Sequence, residues 1–229
     1  MELRVAICLI WLTELTAGYL APNPPGKYNV TLTTGPLTDH SREDPYAATP
    51  TPRALMLSIF QPTICASTVP VPYMPGLTAA FQGPYIKELY NISASLSPLF
   101  LGARLPVCPK EPVECQPLDD TPILLFSPGY TGPRLYYSVL ASAIASEGFT
   151  VITIDHPHDA NIITYPDGHA VYNNVSYETL DYHPRAADAS FIIDQLDNAT
   201  AMAELLPHRG HKAFKTDNVA STLTKSHKL

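Results

Sequence analysis

The eleven glycines stand at positions 18, 26, 35, 76, 83, 102, 129, 132, 148, 168 and 210, and no two of them are four residues apart. That spacing excludes a G-x-S-x-G turn, in which glycines two residues either side of a serine let a strand bend sharply into a helix and expose the hydroxyl. Basic residues are also scarce. Lys and Arg number 14 against 21 Asp and Glu, a net charge of −7, which excludes the basic face that nucleic-acid binding needs. No apolar run approaches the ~20 residues of a membrane-spanning helix. The one near the start, Val5 to Leu12, is short and is followed by Glu14. No internal repeat is present. What remains, 45% hydrophobic and 15% charged residues, suits a globular chain.

Residues 1–18 carry a short polar start (Met1 to Arg4), an apolar core (Val5 to Leu12) and small residues at Thr16-Ala17-Gly18, the pattern of a secretory signal peptide. A secreted, extracellular chain is expected. Four N-x-S/T glycosylation acceptors follow, at Asn29, Asn91, Asn174 and Asn198, the last inside a predicted helix. Cysteine usage fits an oxidising compartment but comes out odd: Cys8 leaves with the signal, and Cys65, Cys108 and Cys115 remain. The short span CPKEPVEC predicts a Cys108–Cys115 disulfide, with three ordinary thiols as the alternative. The prolines concentrate before residue 134, in APNPPG, TPTPR and VPVPYMPG, so this region reads as loops and edge strands, with Ala54 to Phe60 as one early strand.

Residues 122–168 form the strongest local pattern. Ile123 to Phe126 and Val151 to Ile154 are short continuous apolar runs, as expected of strands covered on both faces in a parallel sheet. Between them, Leu135 to Glu147 places Tyr136, Leu140 and Ala143/Ile144 at helical spacing, and Gly148 stands ready as a left-handed cap. The turn Ser127-Pro128-Gly129-Tyr130-Thr131-Gly132 after the first strand can present backbone N–H groups to a developing oxyanion.

Together with VPYMP (Val71 to Pro75), ITIDHPHDA (Ile152 to Ala160) and RAADASFIIDQL (Arg185 to Leu196), this stretch resembles the platelet-activating factor acetylhydrolase family, most closely its secreted fungal members, over roughly residues 50 to 206. The resemblance implies an α/β-hydrolase fold with a mostly parallel sheet. It also implies hydrolysis of short sn-2 acyl esters of phospholipids at a lipid surface, by a Ser-His-Asp triad without metal or cofactor. In that family the N–H after the turn glycine is an oxyanion donor, which falls on Tyr130, next to Gly129.

The missing elbow is the departure from that pattern. In the α/β-hydrolase order the serine precedes the acid and the histidine, so all three are expected beyond Leu229, and no catalytic residue is expected among residues 1–229. The organisation predicted is a signal peptide over 1–18, a partial α/β-hydrolase domain over 19–206 and a divergent polar tail over 207–229. A helix runs to Leu206, through Phe191, Ile192, Leu196, Ala199 and Met202 at spacings of three and four. The tail PHRGHKAFKTDNVASTLTKSHKL is poor strand material. The ILLF strand is then left without a neighbour on that side, an apolar edge. An inactive chain is expected, a truncated gene product; the alternative is a secreted glycoprotein that binds lipid without turnover.

Three further patterns carry weaker readings. In an extended Asp155-His156-Pro157-His158-Asp159, both histidines share a face, so a metal site with Asp155 or Asp159 competes with a role as strand-end caps; capping is the better fit. Arg185 and Asp188, three apart at a helix start, are placed to pair locally. The terminal His227-Lys228-Leu229 only loosely echoes a peroxisomal address.

Overall fold

The structure is a computed structural model, and it describes residues 18–109, 115–207 and 212–223; the secretory signal read in residues 1–18 lies outside these except for Gly18. In chain order the strands are β1 (Asn29–Glu43), β2 (Pro52–Cys65), β3 (Val69–Pro72), β4 (Arg104–Val107) and β5 (Cys115–Pro117). They continue with β6 (Ile123–Ser127), β7 (Thr150–Asp155), β8 (Ile162–Thr164), β9 (Ala170–Tyr172) and β10 (Val219–Leu223). The helices are α1 (Gly76–Leu89), α2 (Ser97–Gly102), α3 (Ser138–Ser146), α4 (His183–Leu196) and α5 (Ala199–Leu205). They divide between two units, one built on Pro70–Pro106 with the residues up to Asn23, the other on Pro24–Val69 and the residues from Val107 onward.

The larger unit holds a sheet in the order β1-β2-β7-β6-β10, with β5 pairing the end of β2. Strands β7, β6 and β10 run parallel, whereas β2 is antiparallel to β1, β7 and β5. The mixed α/β class is as the sequence predicts. The parallel share is smaller, because the prolines of the amino-terminal region do not prevent β1 and β2 from forming a long hairpin, with Pro36 opposite Met56 and Pro62 opposite Val30. Every residue of β7 is buried, as its continuous apolar run requires for a strand with neighbours on both sides. Its side chains Ile152 and Ile154 meet Leu55, Leu57 and Ile59 of β2, Ile123 and Leu125 of β6, and Ile192 and Leu196 of α4 in one core.

Helix α3 follows a 3-10 turn over Arg134–Tyr137 and ends where Gly148, at φ +107°, donates its N–H to the Ala145 carbonyl at 3.0 Å. That is the left-handed cap predicted. The helix predicted through to Leu206 breaks instead. Helix α4 ends at Leu196, and Asn198 takes an extended conformation and accepts from the N–H groups of Thr200 and Ala201 at 3.0 and 3.3 Å, starting α5 afresh. Asparagine satisfies the otherwise orphaned first N–H groups of a helix better than it serves inside one.

The tail also departs from expectation. Phe214 is buried in the core with its N–H on the Leu196 carbonyl at 2.8 Å, and Val219–Leu223 forms a five-residue parallel ladder with Ile123–Ser127. A strand of modest propensity is held by its ladder and by partly buried Val219. Strand β6 therefore has a neighbour on each side. Among the described residues the outer strand on that side is β10, whose Ala220 and Ser221 are exposed.

The expected Cys108–Cys115 disulfide is not formed; Cys108 bonds Cys65 across 43 residues, with Cα atoms 6.2 Å apart. Pairing of Cys108 with the long hairpin makes this possible. The Cys108 N–H bonds the Val30 carbonyl on β1 at 2.8 Å, and Val30 lies opposite Pro62, close to Cys65 on β2. Spacing along the chain does not report that proximity.

In the smaller unit, α1 and α2 meet closely at Gly83, where an added Cβ would lie 2.3 Å from the Ser97 hydroxyl, and β3 pairs β4. Leu77, Leu89, Tyr90, Leu99 and Leu101 remain exposed on this unit. Among the described residues, no helix is long and apolar enough to cross a membrane.

The core makes a direct prediction. Ile152 is completely buried, so Ile152→Ala is expected to cost about 2–5 kcal/mol in denaturant unfolding. Leu140→Ala, at a side chain 49% exposed, is expected to stay within about 0.5 kcal/mol of the parent.

Candidate active site

Strand β6 delivers Ser127 to its carboxyl end, and the chain turns there through Pro128 to Gly132, beside the parallel strands β7 and β10. Crevices at such strand ends are where open α/β sheets bind ligands. The Gly132 N–H closes the turn on the Gly129 carbonyl at 2.9 Å. Thr131 sits at φ +60°, its N–H on Asp159 Oδ1 at 3.4 Å and its carbonyl accepting from the Asn161 N–H at 3.0 Å. Both of the sequence-predicted oxyanion residues lie in this turn, Gly129 buried and Tyr130 half-buried. The Tyr130 hydroxyl donates to the Val175 carbonyl at 2.6 Å, and its ring meets Tyr177 edge-on at 5.6 Å.

A buried guanidinium fixes the turn from below. Arg185, on α4, donates from Nη1 to the Pro128 carbonyl at 2.8 Å and grips Asp159 with two further nitrogens at 2.6 and 3.1 Å. Asp159 in turn holds Thr131. One turn along the same helix, Asp188 is completely buried and collects three partners. Arg53 of β2 reaches it with Nε at 3.1 Å and Nη2 at 2.8 Å, Arg42 of β1 with Nη2 at 2.9 Å, and His156 with Nδ1 at 2.8 Å. On α4 the buried residues are Arg185, Asp188, Ile192 and Leu196, three and four apart. One face of the helix thus carries two charges at its start and the core contacts at its end.

The electrostatics follow from this packing. Burial raises the Asp188 carboxyl, but hydrogen bonds and charge from His156 and Arg53 more than reverse that and hold it well below the usual carboxylate range. An ionised carboxylate only accepts hydrogen bonds, so His156 carries a proton on Nδ1. Its Nε2 lies 2.8 Å from the Ser127 hydroxyl and, in the neutral ring, accepts from it. Ser127, His156 and Asp188 therefore form a continuous serine–histidine–aspartate relay. The serine is 2% exposed and in register on a sheet strand, so its oxygen is closed off from solvent.

The other sequence-read groups separate. Asp155 is held by the backbone and side chain of Arg134, whose Nε reaches the Ser58 hydroxyl at 2.9 Å. His158 turns out of the strand at φ +65° and lies 4.0 Å from Asp44. The extended segment assumed for a metal site does not exist past Asp155, and the two histidines and two aspartates go to different partners. Arg185 and Asp188 do not pair with each other: each reaches across to another element. Of the four acceptor asparagines, Asn91, Asn174 and Asn198 are exposed, while half-buried Asn29 donates to the Cys65 carbonyl at 3.0 Å. Sequence reasoning missed Arg42, Arg53, Arg134 and the Ser127–His156–Asp188 relay. The available signal was a charge beside or within an apolar run, as at Arg53 before ALMLSIF and Asp188 before ASFII.

Breaking this network has a computable sign. Asp188→Asn leaves Arg53 buried with a weakened partner and is expected to cost about 3–5 kcal/mol in equilibrium unfolding near neutral pH. The folded pKa of Asp188 lies below its ordinary 3.8, so the stabilisation is present above about pH 4 and is lost as pH falls through the folded value. The parent's stability is expected to drop on acidification below about pH 4, and the variant's to drop less.

The sequence and the fold have counterparts elsewhere. A curated relative from Arthroderma benhamiae, a probable 1-alkyl-2-acetylglycerophosphocholine esterase, is 30% identical over 231 residues, covering 95% of this chain and 58% of the relative. A solved ferulic acid esterase from Streptomyces cinnamoneus superposes with a TM-score of 0.66 over 90% of this chain and 54% of that one, at 22% identity, a likeness of fold alone. The chain thus spans little more than half the length of either. Residues 67–197, over half of the chain, match the family described as platelet-activating factor acetylhydrolase, isoform II, and the chain belongs to that family.

Proposed function

We propose that this chain supplies the oxyanion-stabilising side of a carboxylic-ester hydrolase acting on short sn-2 acyl groups of platelet-activating-factor-like phospholipids, in a secreted and glycosylated protein. The observation that carries the proposal is the Gly129–Tyr130 turn at the end of β6, pinned by Arg185 and Asp159. In such a reaction a serine oxygen bonds to the ester carbonyl carbon, the carbonyl oxygen takes the displaced electron pair, and a histidine takes the serine proton. The role assigned to Tyr130 is donation of its backbone N–H to that oxygen; one such donor is worth about 10²–10³ in rate. The activity of the relatives named above concerns proteins nearly twice as long, and extending it to this chain is part of the proposal. The exposed leucines of the smaller unit support a lipid-facing surface.

The Ser127–His156–Asp188 relay favours a second reading, in which Ser127 is itself the nucleophile. Its burial weighs against that. The non-catalytic lipid-binding alternative shares the lipid surface but gives the turn no chemical role.

Three measurements separate these readings. Amide NMR during titration with a water-soluble alkylphosphonate, an oxyanion mimic, is expected to shift Tyr130; an unmoved resonance rejects the oxyanion assignment and leaves lipid binding alone. The chain is expected to release no p-nitrophenol from p-nitrophenyl acetate and to take no label from a fluorophosphonate, whereas labelling at Ser127 establishes the second reading. Phosphatidylcholine vesicles are expected to co-sediment the parent and to lose the double variant Leu89→Asp/Leu99→Asp.

A further inference from the structure

Three cysteines from separate segments converge at the end of β2. Cys65 closes that strand, Cys108 follows β4, and Cys115 opens β5. Cys65 and Cys108 are joined, while Cys115 retains its thiol. All three sulfurs lie within 4.8 Å of one another. Cys115 is also the direct register partner of Cys65 in the antiparallel β2–β5 pair, and directly opposed residues of such a pair have Cα atoms about 4.5–5.5 Å apart, inside the span a disulfide bridges. Cys65 is thus positioned for either partner. It is also the most accessible of the three: Cys108 and Cys115 are buried, and Cys65 is half-exposed.

We propose that Cys65, Cys108 and Cys115 form a thiol–disulfide exchange centre with two pairings, Cys65–Cys108 and Cys65–Cys115. The step is internal. The Cys115 thiolate bonds to the Cys65 sulfur, the Cys65–Cys108 bond breaks, and the Cys108 sulfur leaves with the electron pair and takes up a proton equivalent to the one Cys115 lost. No oxidant or reductant is consumed. Both pairings close loops of similar length, so closure entropy scarcely distinguishes them, and local geometry sets the balance. The first pairing anchors Cys108, whose N–H is bonded to Val30 of β1. The second staples β5 to β2 and releases Cys108 as a thiol. A low-molecular-weight thiol enters the same exchange at Cys65, the accessible sulfur.

The test is peptide mapping without reduction, after acid quench and alkylation. The parent, held at pH 8.5 with a trace of reduced glutathione, is expected to yield Cys65–Cys115 peptides beside Cys65–Cys108, with an exchange rate rising about tenfold per pH unit while the thiolate fraction is limiting. The variant Cys108→Ser is expected to pair Cys65 with Cys115 almost completely. The variant Cys115→Ser keeps Cys65–Cys108 and shows no exchange product. If the parent yields only Cys65–Cys108 under these conditions, or if folded Cys108→Ser leaves both remaining cysteines alkylated, the proposal is overturned. Should Cys108→Ser fail to fold, the parent measurement decides alone.

Discussion

The structure of the larger unit turns on keeping one carboxylate ionised where no water reaches it. Transferring Asp188 from water to its buried site costs several kcal/mol, and only well-aligned partners offset that cost. It finds them in Arg53, Arg42 and His156. These come from the start of β2, the end of β1 and the end of β7, so one charge constrains three strands and α4 together. Arg53 is nearly as buried and is also held by Asp44 at 3.0 Å and the Pro157 carbonyl at 3.3 Å. Burial disfavours its charge, yet Asp188 and Asp44 hold the guanidinium above its ordinary pKa. An arrangement in which any one of these elements shifted by a few ångströms would strand a charge in the core. The hydrophobic core beneath has no such demand, since apolar contacts are not directional.

The same helix carries that constraint into the site. Arg185 stands three residues before Asp188 on the buried face of α4, so docking α4 by its carboxylate also aims its guanidinium at Pro128 and Asp159. The turn after β6 is then held at Pro128 by Arg185, at Thr131 by Asp159 and Asn161, and at Ser127 by His156. An oxyanion donor acts by already being in place when charge develops, without reorganisation. A short turn with four anchors, two of them locked to each other, meets that requirement better than a glycine-rich loop left to solvent.

What was legible in the sequence was whatever is local. Strands β6 and β7, helix α3 and its Gly148 cap, and the turn at Gly129 all follow from hydrophobic period and glycine placement within about 30 residues. The ion network was not legible, because Arg53 and Asp188 are 135 residues apart and no periodicity reports a cross-fold salt bridge. The disulfide failed for the same reason: spacing paired Cys108 with Cys115, but the fold brings Cys65, 43 residues away in sequence, to Cys108. Strand β10 was hidden by the lysines around it, and the ladder offered by β6 outweighed a weak intrinsic preference. The break at Asn198 was misread because apolar spacing continues across it, whereas the capping chemistry that stops one helix and starts the next lies in a single polar side chain.

The Ser127–His156–Asp188 relay shows why hydrogen-bond geometry alone does not identify a nucleophile. A reactive serine in an α/β-hydrolase stands on a strained strand-to-helix turn that lifts its oxygen out of the sheet, which is what the flanking glycines permit. Ser127 precedes its turn. It keeps strand geometry, paired through its backbone opposite Leu223 of β10, and its hydroxyl points into the protein toward His156. The imidazole that would draw a proton from an exposed serine here receives an ordinary hydrogen bond from a buried one. What the relay provides is a fixed tautomer and a fixed strand end, linking the ionised Asp188 to the first residue before the oxyanion turn. In the proposed reading these three side chains serve as structure, and the backbone of the turn carries the function.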